Sequence, residues 1–394
     1  MYRQGVFYTL AATGYLYSLI IVDTYRKLVG TNVESIRNFV YIFFFALLMV
    51  DMYRSKHLPK MLTICGFTMF LFEFSILLNP GHSAVYSSSI MLFFSRLWPA
   101  YYIGRYTDNW NSLCKSILYF SPIALVYAVS LFVLPDLAGG QAYATIASNL
   151  AFVSMISLFS CLYYKKIIFI PIVITCLIPV FFYGTRAFFL GVIISLLLTY
   201  IINGNNVSKS KRLLLATLGV SVFFIFYVAG DAIFNQLYRW FPESRTLQKM
   251  ALGDFMDDSN RSSYYIRLIN HLTENPFEMS GLIGDRIFLA GTTASTETIL
   301  ATFSHNCMLE LCINFGLPLG IILNVFFLTQ IIKSLRYSFY VQNTINYVYV
   351  LVLGAGFVDM MISASYMGSY IPWFLFGLAF CINSKIKASM CLNN

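Results

Sequence analysis

The chain has 394 residues, of which 58% are hydrophobic and 11% charged, with a mean hydropathy of +0.71. Soluble domains carry roughly 25% charged residues, so a water-soluble fold cannot hide this much apolar side chain. The formal charge of +9 comes from Lys and Arg scattered through short polar breaks, not gathered in a stripe, which argues against a nucleic-acid partner.

In lipid, every backbone amide must be bonded within its own segment, and crossing the hydrocarbon takes about 20 apolar residues in a helix. Runs of that length predict an all-α, polytopic bundle of about 12 transmembrane helices. In chain order they fall near 5–22, 38–53, 61–78, 84–104, 113–134, 146–164, 167–183, 187–203, 212–230, 306–331, 345–365 and 368–384, forming one integral domain over residues 1–394. The first follows Arg3 as a signal peptide would. No small-x-small cleavage site precedes Asp23, so it counts as a membrane helix.

Orientation follows from basic residues in the short connections. Arg54, Lys56, Lys60, Arg105, Lys115, Lys165, Lys166, Lys209, Lys211, Arg212, Lys333, Arg336, Lys385 and Lys387 share one side, which is therefore cytoplasmic. The connections at 79–83 and 135–145 hold no Lys or Arg, as an outer face requires. The stretch 23–37 disagrees, with Arg26, Lys27 and Arg37 on the outer side. The majority places both termini in the cytoplasm.

The long hydrophilic stretch, residues 231–304, then lies outside, and long loops in compact bundles are usually functional. Within it, Ser259–Thr273 is expected to form an amphipathic helix with Tyr265, Leu268, Ile269 and Leu272 on one face, ended by Asn275-Pro276. The cysteines sit mostly inside apolar runs without a C-x-x-C or Cys/His cluster and act as small hydrophobes. Walker A, GxSxG, HExxH and metal-ligand spacings are absent, which disfavours ATP-driven and zinc chemistry.

Three groups of residues stand out. Arg186, in Tyr183-Gly-Thr-Arg-Ala-Phe-Phe-Leu-Gly191, opens a helix on the outer face, where a guanidinium either forks an anionic phosphate or snorkels to lipid headgroups. Arg261, Arg267, His271 and Arg286 cluster in the loop. Arg267, His271 and Glu274 share a helix face that meets a pyrophosphate or simply faces solvent. His305 and Asn306 stand where the loop re-enters the membrane. A His there exchanges a proton or holds a hydroxyl, with Asn306 fixing its tautomer, or else it contacts headgroups. His57 and His82 are less well placed. Glu73 and Arg96 form a possible intramembrane pair, and Asp359 is a buried acid with no identified partner.

Taken together, Gly184-Thr-Arg-Ala187, the loop residues with Glu274-Asn-Pro-Phe277, Gly281 and Gly284, and then His305-Asn-Cys-Met-Leu-Glu310 with Gly316 and Gly320 resemble the O-antigen polymerase and ligase superfamily. The likeness spans residues 180–325, although the R-x10-G spacing of some polymerase loops does not occur. The resemblance implies a cofactor-free, metal-independent, inverting glycosyltransferase in the bacterial inner membrane, with residues 231–304 as a periplasmic loop. Its donor would be an undecaprenyl-pyrophosphate-linked oligosaccharide, and its neighbours a chain-length regulator and a flippase. It further implies catalytic roles for His305 and Arg186, and pyrophosphate or glycan contacts for Arg261, Arg267, Arg286, His271 and Asn306. A polymerase is favoured; a ligase, or a flippase for the same lipid-linked sugar, is the alternative.

Overall fold

The structure is a computed structural model that describes residues 5–29, 34–133, 143–183, 261–341, 343–362 and 365–392, with isolated positions between 191 and 251. Every regular element among these residues is helical. Most of the expected helix near 187–203, all of that near 212–230 and most of the first part of the long loop lie outside the described residues, though 191, 194, 195 and 198 are described and helical.

The first three helices are α1 (Val6–Val29), α2 (Glu34–Arg54) and α3 (Leu58–Leu78). Helix α1 runs a further two turns beyond the expected end at Val22, where the Thr24 hydroxyl back-bonds to the Ile20 carbonyl at 2.6 Å. Next comes one continuous rod made of α4 (Ser83–Leu92), a π-helical turn at Phe93–Leu97, and α5 (Trp98–Tyr106). The π turn has a chemical cause. Pro99 has no N–H to give the Ser95 carbonyl, and the Tyr15 hydroxyl donates there instead, 2.7 Å from Ser95 O and 2.8 Å from Arg96 O.

The run expected as a single helix over 113–134 is two, α6 (Trp110–Tyr119) and α7 (Ser121–Val133), bent by 41° where Pro122 interrupts the ladder. Helices α8 (Tyr143–Tyr163) and α9 (Ile170–Tyr183) follow. The long loop contributes α10 (Arg261–Glu274), α11 (Gly284–Ala290) and α12 (Thr296–Ala301). The remaining elements are α13 (Cys307–Phe315), α14 (Leu317–Tyr340), α15 (Thr344–Ile362) and α16 (Tyr370–Leu392).

The single helix expected over 306–331 is therefore a hairpin. Gly316 takes φ +76 and Pro318 follows, so the chain reverses and α13 packs back along the start of α14. Gly320 lies against the Cys312 backbone, and Asn324 donates to the Met308 carbonyl at 2.9 Å.

By length and composition, α3, α14 and Thr344–Met361 of α15 are apolar enough to cross a membrane, and the bent α6–α7 pair passes the same test together. Their surroundings differ. Only 22% of α3 and 17% of α14 is buried, against 88% of α15, so α15 is central while the first two turn Leu62, Phe67, Phe70, Ile322 and Val325 outward. Such faces need lipid as their solvent.

Lys56 and Lys60 at the α2–α3 turn, Arg105 at the end of α5, Lys115 near the start of α6 and Lys165 after α8 all fall at one end of the bundle. Contacts at that end include Arg105 with Ser384 of α16 at 2.9 Å, and Thr344 of α15 with Asn111 of α6 at 2.5 Å. The start of α1 lies there too, with Tyr8 hydrogen-bonded to Thr107 at 2.5 Å. The opposite end gathers the C-terminus of α3, the α15–α16 turn and the second half of the long loop.

That second half does not hang outside. Gly284, Asp285, Arg286, Ile287 and Leu289 of α11 are all buried. The segment ahead of α11 is tied to α3, where the Leu282 N–H donates to Ser75 Oγ at 2.8 Å and Asn79 donates to the Ser280 carbonyl at 2.8 Å. It is also tied to α13, where the Gly281 N–H meets Asn314 O at 2.9 Å. The hydrophilic sequence reads as surface, but several of its polar groups bond to α3 and α13 instead of water. Helix α10 turns Leu268 and Leu272 into a small core with Tyr264 beside them, whereas Ile269, expected on that face, is exposed.

Close backbone approach holds α5 against α16. A Cβ on Gly104 would run into the Phe374 carbonyl, and one on Gly377 into the Tyr101 carbonyl. Gly104→Val is expected to lower stability by about 1–3 kcal/mol through overpacking, read as a fall in melting temperature of the purified protein. Gly66→Ala, at a position with open space, should leave it nearly unchanged. Equal losses would contradict this crossing.

Candidate functional site

Two non-glycine residues near the end of the bundle opposite the basic turns adopt left-handed backbone, Ile283 at φ +58 and His305 at φ +56. Such conformations cost free energy, greatest for a β-branched residue, and persist where surrounding contacts over-determine them. Both flank the same buried assembly. Ile283 precedes α11, which carries Asp285 and Arg286 inward, and His305 follows Ser304, whose N–H donates to Asp285 Oδ2 at 3.2 Å.

Arg286 is 4% exposed. Its Nη1 donates to the Leu300 carbonyl at 3.1 Å and its Nη2 to Ser365 Oγ at 2.8 Å. Ser365 in turn donates to Glu310 Oε1 at 2.5 Å, so one hydroxyl links the guanidinium to a carboxylate on α13. The other Glu310 oxygen accepts from the Tyr366 N–H at 2.9 Å. Asn314, one turn further along α13, accepts from the Asp285 N–H at 3.0 Å and donates to the Tyr366 hydroxyl at 2.9 Å. Gly368 lies close to the guanidinium, where a Cβ would come within 3.4 Å of Nη2.

One cation thus serves two fully buried acids on short helices outside the membrane-crossing segments. Burial pushes the Asp285 carboxyl above its ordinary range, and Arg286 opposes the rise. Glu310 is pushed well above its ordinary range by burial first and the Asp285 charge second, again opposed by Arg286. Asp285 Oδ1 and Arg286 Nε have no hydrogen-bond partner among the described residues.

The Phe303 ring connects this assembly to His305. The Arg286 guanidinium carbon lies 5.8 Å from its centroid, and the His305 ring is 4.0 Å away at an angle of 46°. His305 itself is half-buried. Asn306 was expected to fix its tautomer or bind glycan, but its Oδ1 caps α13, accepting from Met308 N at 3.0 Å and Leu309 N at 3.1 Å. Its Nδ2 donates to the Met361 carbonyl at 3.2 Å. The helix start and α15 occupy that amide.

The loop cations separate. Arg267 donates to the Phe288 and Leu289 carbonyls at 3.2 and 3.3 Å, satisfying the open C-terminus of α11. His271 stacks on the Phe288 ring at 4.6 Å and stands 3.8 Å from Glu278. These two residues therefore grip one end of α11, while Arg286 points from it into the bundle. Arg286, expected to contact pyrophosphate, has both terminal nitrogens engaged by protein acceptors. Arg261 opens α10, but its side chain, like the whole of Arg186, lies outside the described residues.

The suggested Glu73–Arg96 pair is not formed: Glu73 is exposed on α3, and Arg96 lies over the Tyr370 ring at 5.8 Å. Asp359 finds the Ser369 hydroxyl at 3.4 Å. The sequence reading passed over Asp285, Glu310, Asn314, Ser365 and Tyr366 as site residues. Glu310 carried a usable signal, an acid inside the apolar run Cys307–Phe315, by the same rule that singled out Arg186. No group of three or more His, Cys, Asp or Glu placed to hold a metal ion occurs among the described residues. No protein-family model matches the chain, and a search of curated proteins finds no match.

Arg286→Ala removes the donor to the Leu300 carbonyl and Ser365 and leaves two buried acids without their neighbouring cation, and it is expected to cost about 3–5 kcal/mol, measured by thermal unfolding in detergent. Arg286→Lys should fall between, since an ammonium cannot span both acceptors. Arg267→Ala, on the exposed side of α10, should cost much less. An Arg286→Ala loss no larger than that of Arg267→Ala would contradict the tie.

Proposed function

We propose that the chain is an O-antigen polymerase of the bacterial inner membrane, joining undecaprenyl-pyrophosphate-linked oligosaccharide repeat units on the periplasmic side, with both termini in the cytoplasm. The observation that carries the reading is His305: a half-buried imidazole held in left-handed backbone, braced by Phe303 and the capped start of α13, at the end of the bundle opposite the basic turns. The resemblance over residues 180–325 supplies the reaction class.

In this reading the acceptor sugar hydroxyl attacks the anomeric carbon of the donor. The new C–O bond forms as the anomeric C–O bond to phosphate breaks, and that electron pair leaves on the lipid pyrophosphate. The hydroxyl proton passes to His305, which must be neutral to take it. Arg186 and Arg261 offset the charge on the leaving group. Arg286 acts as a positioning residue: through Phe303, and through Asp285 and the Ser304 N–H, it fixes where the imidazole stands. Arg267 and His271 hold α11 in place. A chain-length regulator and a flippase are the expected membrane partners.

Deleting the gene in its host and complementing with wild type, His305→Ala or Arg186→Ala, with insertion checked by blot, tests the reading on a lipopolysaccharide gel. Deletion should leave core bearing one repeat unit, and neither variant should restore the ladder. Bare core with polymer accumulating on the lipid carrier would make the chain a ligase, and bare core with single units retained on the cytoplasmic face a flippase. A normal ladder after deletion would remove it from this chemistry.

A further inference from the structure

Arg96 is a second cation that the glycosyl-transfer reading does not use. Arg96 sits midway along the rod formed by α4, the π turn and α5, and no described carboxylate lies within salt-bridge distance of it. Arg96 is half-buried and lies over the Tyr370 ring at 5.8 Å, and a guanidinium partly withdrawn from water favours an anionic hydrogen-bond partner. The π turn adds to the argument, because such turns concentrate at ligand sites and shift the side chains that follow them.

The guanidinium borders a small cavity lined by Tyr15, Leu16, Ser18, Tyr41, Arg96 and Tyr370, drawn from α1, α2, the π turn and α16. Its polar groups are unevenly engaged. The Tyr15 hydroxyl is fixed on the π-turn carbonyls, and Ser18 donates to the Tyr15 carbonyl at 2.6 Å. Tyr370 is 5% exposed, yet its hydroxyl has no hydrogen-bond partner among the described residues. The cavity therefore presents the Arg96 cation and the Tyr370 O–H donor, with the Tyr41 ring beside them.

We propose that this cavity is a binding site for a single halide-sized anion, held by the Arg96 guanidinium and the Tyr370 hydroxyl. Size selects the class. The space admits about one water-sized body, enough for chloride or bromide and too small for a phosphate with its substituents. The rings of Tyr15, Tyr41 and Tyr370 line the space, and a charge-assisted bond gains strength where fewer waters compete for the ion. The site also has a structural reach. Tyr370 begins α16 directly after the turn that carries Ser365 and Gly368, so an anion under Arg96 braces the same turn that meets Arg286.

The test uses the purified full chain in nanodiscs, with gluconate replaced stepwise by chloride at constant ionic strength and unfolding followed by tryptophan fluorescence. Wild type should show a saturable rise in melting temperature of about 2–4 °C. Bromide should reproduce it, and Arg96→Gln should abolish it. Tyr370→Phe, which removes only the hydroxyl, serves if Arg96→Gln does not fold; it should move the midpoint to higher chloride. Chloride-35 NMR line broadening by wild type and its loss in the variants gives a second readout. A flat wild-type response, an unchanged midpoint in Tyr370→Phe, or a rise with phosphate but not chloride would overturn the proposal.

Discussion

A guanidinium sealed at the end of a membrane bundle must find acceptors within the protein, and the structure around the candidate site follows from how Arg286 finds them. Helix α11 has to be drawn inside so that its Arg reaches the Leu300 carbonyl and Ser365. The α15–α16 turn has to dip to meet it, and α13 has to fold back so that Glu310 receives the Ser365 hydroxyl. The strain at Ile283 and His305 lies at the two margins of this assembly, where the chain enters α11 and where it leaves for α13. A buried ion network of this kind adds little net stability over an apolar core, but it specifies one arrangement, because every alternative strands a charge.

That specification supplies rigidity around His305, where the proposed reaction would need it. His305 is placed by a chain of contacts that begins inside the bundle: Asp285 on the Ser304 backbone, Phe303 beside Arg286, and Asn306 on the first turn of α13. Imidazole position is then set by buried groups and not by the solvent-facing part of the loop. Arg267 and His271 serve the same end from outside by closing the C-terminus of α11.

Much of the framework was legible because a membrane imposes a coarse rule. Apolar length alone located α3, α4–α5, α8, α9, α15 and the start of α16 within a few residues. The rule fails where backbone chemistry overrides hydropathy. Pro122 bends one apolar run and Gly316 with Pro318 folds another, so two single helices became two pairs. It fails again for α11, whose Asp285 and Arg286 are buried against Ser304, Asn314, Ser365 and the Leu300 carbonyl on other parts of the chain, something no count of hydrophilic positions reveals. His305 and Arg286 stood out as residue types; the Asn306 cap is a local contact that the start of α13 offers, whereas Ser365 as the bridge depends on a contact across 55 positions of sequence.

The central claim is that Arg286 and Glu310 form one electrostatic unit through Ser365. A double-mutant cycle measures it directly: unfolding free energies of Arg286→Met, Glu310→Leu and the double variant, in the same detergent. Arg286→Met leaves both Glu310 and Asp285 without their cation, and Glu310→Leu then takes one of those acids away, so the double variant should be more stable than Arg286→Met alone, with a coupling of about 1–3 kcal/mol. Additive losses, with the double variant at the sum of the two, would show that the two side chains are independent and would contradict the account.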